Sequence, residues 1–368
     1  MQLNCLKSDL TASVFFVSRA ISTKPTLPIL EGILFQAFKG ILKLTASDLD
    51  IGVESCMNCN IVQEGTLVVP GRLFSDIIRK LPEEEIEIHT DSLQSIVITS
   101  GHSQITLQCL ASEEFPELPK VEENDPIEIS QGLLKNMIRQ TIFSIAVDET
   151  RPILTGVLIE IDENNIRFVA LDGYRLALKS GSLEKSYERK QVVIPGKALN
   201  EIIKVLGEDN RIVNITLTAQ HLLLDMGYTK IISRLLDSNF INYTQMLPKE
   251  YISKVRLNRR ILSDAVERAS LMAREGKNNL IKFNVQEDKM IITSNSDIGA
   301  IHEEIDLLLD GNEIEIAFNA KYFSDVLKCL SDDEIYLNFT SNVSPCVIKP
   351  VEGDEFLYLI LPVRIYGA

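Results

Sequence analysis

Short apolar runs separated by turn-forming residues make up most of this chain, a pattern that is typical of β-strands. Segments such as TLVV, SIVITS, ITLQCL, KIISRLL and KMIITS are alternating or fully apolar and predict such strands. Other segments place their apolar residues at helical spacing and fall into two groups. The first group covers about 8–20, 131–143 and 259–271, and the second covers 70–81, 195–206 and 319–330. The pattern predicts an α+β fold in which two helices per unit pack on antiparallel sheets.

The second group of helices reveals an internal repeat. The segments PGRLFSDIIRKL, PGKALNEIIKVL and NAKYFSDVLKCL begin at Pro70, Pro195 and Asn319, and they align without gaps at intervals of 125 and 124 residues. The turn sequences LTASDLDIG, VALDGYRL and ITSNSDIG recur at the same interval, as do Phe115 and Phe240. Independent features that share one period argue against chance. We therefore predict three tandem domains, at 1–120, 127–248 and 252–368.

On a helical wheel of about 100° per residue, the second helix of each domain separates an apolar stripe from a charged face. In the first copy we expect the stripe to face the core, and it consists of Leu73, Phe74, Ile77, Ile78 and Leu81. The opposite face carries base, acid and base in every copy: Arg72, Asp76 and Arg79, then Lys197, Glu201 and Lys204, then Lys321, Asp325 and Lys328. One interpretation is a solvated face with ion pairs along the helix. Its retention in three diverged copies favours contact with DNA phosphates that does not depend on base sequence.

The charge balance limits how the chain could meet nucleic acid. The formal net charge of the 368 residues is −15, which works against binding over the whole surface and leaves only a local basic strip for DNA. Trp is absent and the other aromatic residues are not interleaved with the bases, so stacking on single strands is not indicated. No apolar run approaches the ~18 residues of a membrane helix, and the N-terminus lacks the pattern of a signal peptide. We expect a cytoplasmic protein.

Residues that could support catalysis or metal binding are scattered. Cys56 and Cys59 form a lone CxxC in a strand-like stretch without nearby histidines, so we expect ordinary reduced thiols and no metal. The recurring aspartate, Asp172 in the second copy, could act as a general acid or base, but its presence at the same turn in every copy favours a turn-forming role. The sequence contains no P-loop, GxSxG, HExxH or GxGxxG motif in the required context. We expect neither catalytic activity nor a cofactor.

Over its full length the chain resembles the bacterial DNA sliding clamps, the β subunits of the DNA polymerase III holoenzyme. The motifs that carry the resemblance are TKPTLPIL at 23–30, VVPGRLFSDIIRKLP, LDGYRLA, FNAKYFSDVLK at 318–328 and a terminal LPVR. The resemblance implies that two chains join head to tail into a closed ring of similar domains, with helices lining the hole and sheets outside. Duplex DNA would thread the hole, held topologically, while weak phosphate contacts let the ring slide. It implies a processivity factor without catalytic activity.

The resemblance also implies which residues meet DNA. The DNA-facing positions of the family fall here on Lys24, Arg72, Arg79, Lys197 and Lys321, with Arg151 and Lys204 as further candidates. A position that is polar in the family is acidic here, at Asp148, which departs from the expected loop contacts of the second domain.

A pocket for partner peptides between the second and third domains is the other site that the resemblance implies. It accepts short apolar peptides, often with Gln and Leu, from polymerases, the clamp loader and repair proteins. The corresponding residues here are Leu154, Leu171, Gly173, Arg175, Leu176, Met246, Asn319, Tyr322, Val343, Ile360, Leu361, Pro362, Val363 and Arg364. The aliphatic members would form an adaptable slot, and Arg175, Asn319 and Tyr322 would orient a peptide. The alternative, that Leu171 and Ile360 are plain core residues, stays open.

The ring contact of the family joins the first domain of one chain to the third domain of the other. The matching apolar residues are Ile105 and Leu107 against Leu271 and Met272.

This chain departs from the family pattern at three places near the pocket. They are Ile241, where relatives often have proline, Pro345, and the residues that follow Arg364. These differences could alter which peptides bind, but they do not affect the expected fold.

Two other function classes compete with a clamp. A tandem-repeat scaffold that binds only proteins would have no need of the basic strips. An enzyme with a site at a domain junction would need a constellation of nucleophile, base or metal ligands, which the sequence does not contain.

Overall fold

The computed structural model describes residues 1–22, 25, 27–82, 84–92, 94–276 and 279–364, without the side chain of Ser92. Its α-helices are α1 (Lys7–Val17), α2 (Gly71–Lys80), α3 (Gln131–Arg139), α4 (Gly196–Val205), α5 (Arg259–Glu275) and α6 (Ala320–Cys329). The strands of residues 1–130 are β1 (Gln2–Leu6), β2 (Gly32–Phe38), β3 (Ile41–Ser47), β4 (Ile51–Asn58), β5 (Asn60–Gln63), β6 (Gly65–Pro70), β7 (Glu85–Ser92), β8 (Ser95–Ser100), β9 (Ser103–Gln108) and β10 (Ile127–Ser130). Those of 131–258 are β11 (Gly156–Leu171), β12 (Arg175–Pro195), β13 (Ile212–Leu217), β14 (His221–Asp225), β15 (Thr229–Arg234) and β16 (Ser253–Asn258). The remainder are β17 (Leu280–Val285), β18 (Lys289–Ser296), β19 (Gly299–Asp306), β20 (Leu308–Gly311), β21 (Ile314–Asn319), β22 (Glu334–Phe339), β23 (Cys346–Pro350) and β24 (Phe356–Ile360).

The helices confirm the periodic pattern of the sequence, with differences at their ends. The second helix of each repeat lies within the predicted range, as α2, α4 and α6. Of the first helices, α3 is shorter than predicted, because it ends at Arg139 and continues only as a 3₁₀ turn at Ile142–Ser144. The hydroxyl of Thr141 donates a hydrogen bond of 2.8 Å to the carbonyl of Met137 and so satisfies a carbonyl of the last helical turn. The helix can therefore stop there without leaving that carbonyl unpaired.

The strands confirm an antiparallel α+β fold, and their pairings divide the described chain into two compact units. One unit consists of 1–132 and 200–235, and the other of 133–199 and 236–368. Neither unit coincides with one sequence repeat, because residues of the central repeat contribute strands to both. The bounds of the three tandem domains stay a prediction from the repeat.

In the first unit the sheet orders are β5-β1-β7-β8-β9 and β10-β13-β14-β15-β4-β3-β2-β6. The longer sheet is continuous because β15 of the central repeat pairs antiparallel with β4 of the first, with Ile231 opposite Val53. Helix α2 packs its Phe74 ring edge-on against Phe35, with ring centroids 5.1 Å apart. The buried sides of both elements thereby form one core.

In the second unit the sheet orders are β11-β12-β24-β23-β22-β16-β20 and β19-β18-β17-β21. Here β12 of the central repeat pairs with β24 near the end of the described chain, with Arg175 opposite Ile360. Three rings, Phe283, Phe318 and Phe323, contact one another edge-on or tilted at the centre of the core. No helix among the described residues is long and apolar enough to cross a membrane.

The predicted apolar stripe of the first repeat is wrong at one position. Leu73 is 53% exposed, whereas Phe74, Ile78 and Leu81 are buried and Ile77 is half-buried. The helix touches the sheet along a narrow line with i, i+4 and i+7 spacing, and Leu73 lies beside that line.

Packing explains why glycine follows proline in the recurrent Pro-Gly pair. A Cβ at Gly71 would lie 2.6 Å from Ile21 Cδ1, and one at Gly196 would lie 2.2 Å from Ile145 Cδ1. Backbone carbonyl oxygens of Glu31 and Thr155 also approach these positions to 3.0 and 2.8 Å, so a side chain there would force the neighbouring backbone to shift.

Candidate functional site

The charged faces of α2, α4 and α6 point away from the core, as the helical wheel predicted. All of the basic residues on these faces are exposed, namely Arg72, Arg79, Lys197, Lys204, Lys321 and Lys328. The acids between them differ, since Asp76 is exposed while Glu201 and Asp325 are half-buried. Each helix therefore presents two cationic side chains to the solvent, two turns apart.

On each of these helices the acid pairs with one of its neighbouring bases. Arg79 pairs with Asp76, Lys204 with Glu201 at 2.7 Å, and Lys321 with Asp325 at 2.9 Å. Exposed pairs of this kind contribute at most about 1 kcal/mol to stability, so they hold the cations only loosely. A phosphate could replace the carboxylate at little cost.

The remaining DNA candidates lie in loops. Arg151 is exposed, directly before a 3₁₀ turn at Pro152–Thr155. Asp148 accepts hydrogen bonds from the backbone amide of Thr150 at 2.9 Å and from its hydroxyl at 2.7 Å. These bonds lower the pKa of the Asp148 carboxyl, so an anion stands three residues before Arg151. Lys24 lies outside the described residues.

The recurring aspartates confirm a turn-forming role in two of the copies. Asp48 accepts from the amides of Asp50 and Ile51 at 3.0 and 2.8 Å, and Asp172 accepts from the amides of Tyr174 and Arg175 at 2.9 and 3.0 Å. In the third copy the hydroxyl oxygen of Ser296, the residue before Asp297, accepts from the amide of Ile298 at 3.3 Å. These carboxylates support a tight turn between two strands.

Arg175 is the centre of a buried polar cluster in the second unit. Its side chain is 7% exposed, and it donates to Asp172 at 2.9 Å, to Asp325 at 2.6 Å and to the carbonyl of Phe143. Its guanidinium also lies over the ring of Tyr322, 4.6 Å from the centroid. The donors of Arg175 are thus engaged inside the protein, where the residue positions Tyr322, and its role in orienting a peptide stays a prediction.

Four of the aliphatic residues of the predicted pocket are core residues. Leu154, Leu171 and Leu176 are buried in one apolar cluster, and Ile360 is buried in the neighbouring one. Asn319 caps α6 by accepting from the amide of Lys321 at 3.0 Å. These residues form the floor and the frame of the region.

The exposed part of this region follows the last strand. The amide of Leu361 donates to the carbonyl of Tyr174 at 2.9 Å, and the amide of Val363 donates to that of Ala317 at 2.8 Å. Leu361, Pro362 and Val363 are partly accessible. These residues after the last strand, 361–364, form a tail that runs beside the turn that contains Gly173.

Tyr174 belongs to this surface and was missed in the sequence. It is 62% exposed and stacks on Tyr322, with ring centroids 6.2 Å apart. The signal was a large aromatic residue at a turn tip, next to the exposed Gly173.

Two members of the predicted pocket are exposed but separate in sequence from the tail. Met246 ends a 3₁₀ turn at Tyr243–Met246, and Val343 occupies the connection between β22 and β23. Their membership of the pocket stays a prediction.

The predicted ring-contact residues lie on an edge strand in the first domain and on helix α5 in the third. β9 is an edge strand, in which Ile105 is half-buried and Leu107 is already buried within its own unit. Leu271 on α5 is 59% exposed. The next residue of the helix, Met272, contacts Ser296, which belongs to a sheet whose edge strand is β19. An unpaired edge strand can accept a strand from another chain.

The CxxC residues are in an ordinary strand connection. Cys56 lies in β4 and Cys59 follows it, and burial raises the pKa of both thiols. A raised thiol pKa disfavours the thiolate that redox chemistry or metal binding needs. Among the described residues no group of His, Cys, Asp and Glu is arranged to hold a metal ion.

The repeated two-helix unit with a basic outer face defines a clamp-type repeat protein. Family models for the DNA polymerase III beta subunit match the chain in sequence order, with the N-terminal domain at 1–119, the central domain at 128–242 and the C-terminal domain at 244–364. The chain is 38% identical to the beta sliding clamp of Staphylococcus aureus over 95% of both chains. It belongs to the DNA polymerase III beta subunit family.

Solved structures agree with this assignment. The DNA polymerase sliding clamp from Bacillus subtilis is 37% identical, covers 100% of both chains and superposes with a TM-score of 0.96. The sliding clamp from Pseudomonas aeruginosa bound to griselimycin is 26% identical, with a TM-score of 0.93 over 99% of this chain and 100% of that one.

Proposed function

We propose that this protein is a DNA polymerase processivity factor, a ring-shaped sliding clamp without catalytic activity of its own. The observation that carries the proposal is the basic outer face, which recurs on α2, α4 and α6 in a chain that matches the clamp family in all three domains. The three domains would be 1–120, 127–248 and 252–368. A ring needs only weak and sequence-independent contact with duplex DNA, because closure rather than affinity holds it.

The DNA-facing residues would be Lys24, Arg72, Arg79, Arg151, Lys197, Lys204 and Lys321. Point charges on exposed side chains suit mobile phosphate contacts, since they fix no base register. The acidic partner on each helix keeps the local net charge low, and this favours sliding over tight binding.

The ring hypothesis is tested by retention on DNA. The loaded protein should stay on closed circular DNA and run off linear DNA of the same sequence. Reversing Arg72, Lys197 and Lys321 together should weaken retention or loading while sedimentation still gives the dimer. Equal retention on both DNA forms would contradict topological binding, and unaltered loading of the triple variant would remove the basic faces from the mechanism.

Partner proteins would dock on the surface formed by the tail, the Gly173 turn and Tyr322. We propose that polymerases, the clamp loader and repair proteins insert short apolar peptides there. The exposed ring pair of Tyr174 and Tyr322 and the partly exposed Leu361 support this role, since aromatic and aliphatic groups dominate peptide hot spots.

This docking proposal is tested by removing residues 362–368, which should abolish binding of polymerase-derived peptides. As a control on the same turn, Tyr174→Phe should retain most of the affinity because the ring remains. Undiminished affinity of the truncated chain would refute the assignment.

The dimer would form through the edge near Ile105 and Leu107 of one chain and the edge near Leu271 and Met272 of the other. Leu271→Asp places a charge on an exposed apolar position and should shift sedimentation toward the 41.3 kDa monomer. A dimer that persists at micromolar concentration would exclude this contact.

The place of action would be the cytoplasm, at the bacterial nucleoid. The competing function, a scaffold that binds only proteins, predicts no difference between circular and linear DNA in the retention experiment.

A further inference from the structure

A cavity of about 440 Å³ lies in the first unit, between the eight-stranded sheet and the linker that follows the first repeat. Strands β2, β3, β4, β14 and β15 form its floor, and residues 115–121 with Glu123 form its roof. Leu34, Leu223 and Ile232 contribute apolar side chains to the floor. A cavity of ~150 Å³ is enough for benzene, so the volume suffices for a single-ring molecule.

The corresponding place in the second unit is filled by the chain itself. Tyr243 is buried there in a cluster that includes Leu158 and Val169. Its hydroxyl donates to Glu160 at 2.6 Å and accepts from Arg167 at 3.2 Å. The second linker is thus anchored by a phenol whose ring is in the core and whose hydroxyl meets two polar side chains.

The repeat interval relates the two places residue by residue. At intervals of 124 or 125 residues, Leu34 corresponds to Leu158, Gln36 to Glu160, Lys43 to Arg167, Thr45 to Val169 and Leu118 to Tyr243. All five of these first-repeat residues line the cavity. The first repeat therefore keeps polar residues at both positions that hold the phenol hydroxyl, but it has leucine in place of the phenol.

Leu118 lies close to the sheet, directly over Gly52. A Cβ at Gly52 would lie 2.4 Å from Leu118 Cδ2, and the residue that corresponds to Gly52 in the second repeat is Leu176. Because the leucine is shorter than tyrosine and lies against the strand, Gln36 and Lys43 remain on the cavity wall.

The two repeats also differ in the layer behind this wall. Thr45 is 3% exposed and lines the cavity, and its hydroxyl oxygen has no hydrogen-bond partner among the described residues. Buried hydroxyls are normally satisfied, because leaving one unpaired is unfavourable. Val169, at the corresponding position, has no such requirement.

Equal numbers of acidic and basic side chains line the cavity, and this balance bears on the charge of a ligand that would fit. Three lysines and three glutamates line it, namely Lys43, Lys120, Lys230, Glu54, Glu117 and Glu123. Lys43 pairs with Glu54 at 2.7 Å, and Lys230 pairs with Glu123. These two pairs neutralise the lysines on the sheet side of the cavity, so a neutral molecule fits better there.

We propose that this cavity binds a neutral para-substituted phenol in the way that the second repeat holds its own Tyr243. The ring would contact Leu34, Leu223 and Ile232, and the hydroxyl would bond with Gln36 and Lys43, the counterparts of Glu160 and Arg167. The phenol could come from a free small molecule or from a tyrosine side chain of a peptide.

The experiment is a titration of the full-length protein with p-cresol, followed by ligand-observed NMR. Saturable binding in the millimolar range is expected for a ligand of this size. Leu118→Tyr supplies the phenol internally and should weaken p-cresol binding at least about tenfold. Gln36→Leu should weaken p-cresol about tenfold without changing the affinity for toluene, because it removes a hydrogen-bond partner and leaves the side-chain volume similar. Thr216→Val, at a buried threonine of the same sheet outside the cavity, should have no effect.

A second arm compares p-cresol with N-acetyl-tyrosine methylamide. Comparable binding of the two would assign the site to a tyrosine side chain, and binding of p-cresol alone would assign it to a free phenol. The proposal is overturned if p-cresol does not saturate, or if Leu118→Tyr and Gln36→Leu both bind it as the wild type does. The two variants are independent, so a folding defect in one leaves the other as the test.

Discussion

Replacement of Arg175 by methionine tests whether this residue holds the fold of the second unit or serves a bound peptide. The guanidinium donates to Asp172, to Asp325 and to the carbonyl of Phe143. Methionine retains apolar volume but leaves both carboxylates without this cation. Loss of one partner of a buried ion pair costs about 3–5 kcal/mol. Because Asp172 and Asp325 are partly exposed, and Lys321 also pairs with Asp325, we expect the lower end, about 3 kcal/mol.

The assay is native-state hydrogen exchange of backbone amides in β12 and β24, which pair through Arg175 and Ile360. A loss of about 3 kcal/mol accelerates exchange through local opening roughly a hundredfold. Exchange is suited to this chain because it reports on one unit without requiring that both units unfold together.

Arg167→Met is the matched control on the neighbouring strand. Its side chain is 47% exposed and lies 3.7 Å from Glu160, so its loss should cost about 1 kcal/mol or less. If Arg175→Met exchanges within about threefold of the wild type and loses only peptide affinity, Arg175 acts on the ligand and the structural role assigned here is refuted.

Three further changes test the first linker and the cavity beneath it. Thr45→Val should raise the free energy of unfolding by about 1 kcal/mol, seen as a higher denaturant midpoint, because it removes an unpaired buried hydroxyl; a loss of stability would contradict this. Gly52→Ala should lower the free energy of unfolding by about 1–3 kcal/mol and speed proteolysis within 115–123, since the new methyl group displaces Leu118. An unchanged cleavage rate would show that the linker does not pack on β4 at Gly52. The hydrogen bond to Glu123 raises the pKa of Lys230 above 10.5, so its stabilisation is complete below that pH and is lost as pH rises through the higher folded value. The difference in melting temperature between wild type and Lys230→Met should therefore shrink as pH rises above 10.5, and a pH-independent difference would refute the ion pair.

Much of the fold could be predicted because its signals are local. The helix ranges follow from apolar spacing, and the charged faces of α2, α4 and α6 point outward as the wheel requires. The turn role of Asp48 and Asp172 follows from a short side chain at a strand end. Such features depend on residues a few positions apart, and the sequence contains that information directly.

Predictions about the candidate site were less complete. The role of Arg175 and the exposure of Tyr174 could not be read from the motif LDGYR, because Tyr174 lies at a turn tip and two partners of Arg175, Asp325 and Phe143, are distant in sequence. Likewise, Leu73 belongs to the apolar stripe of the wheel but lies beside the narrow contact of α2 with its sheet.

By itself the sequence determined the period of about 125 residues, the kind of element in each part of it and the sign of charge on each helix face. Only the tertiary structure decided that β4 pairs with β15 and β12 with β24, so that the central repeat is divided between two compact units. It also decided that Tyr243 fills one linker junction while Leu118 leaves a cavity at the other. The physical reason is that periodicity and turn chemistry act over a few residues. Strand pairing and cavity filling instead depend on side chains more than a hundred positions apart, and the chain brings these together only when it folds.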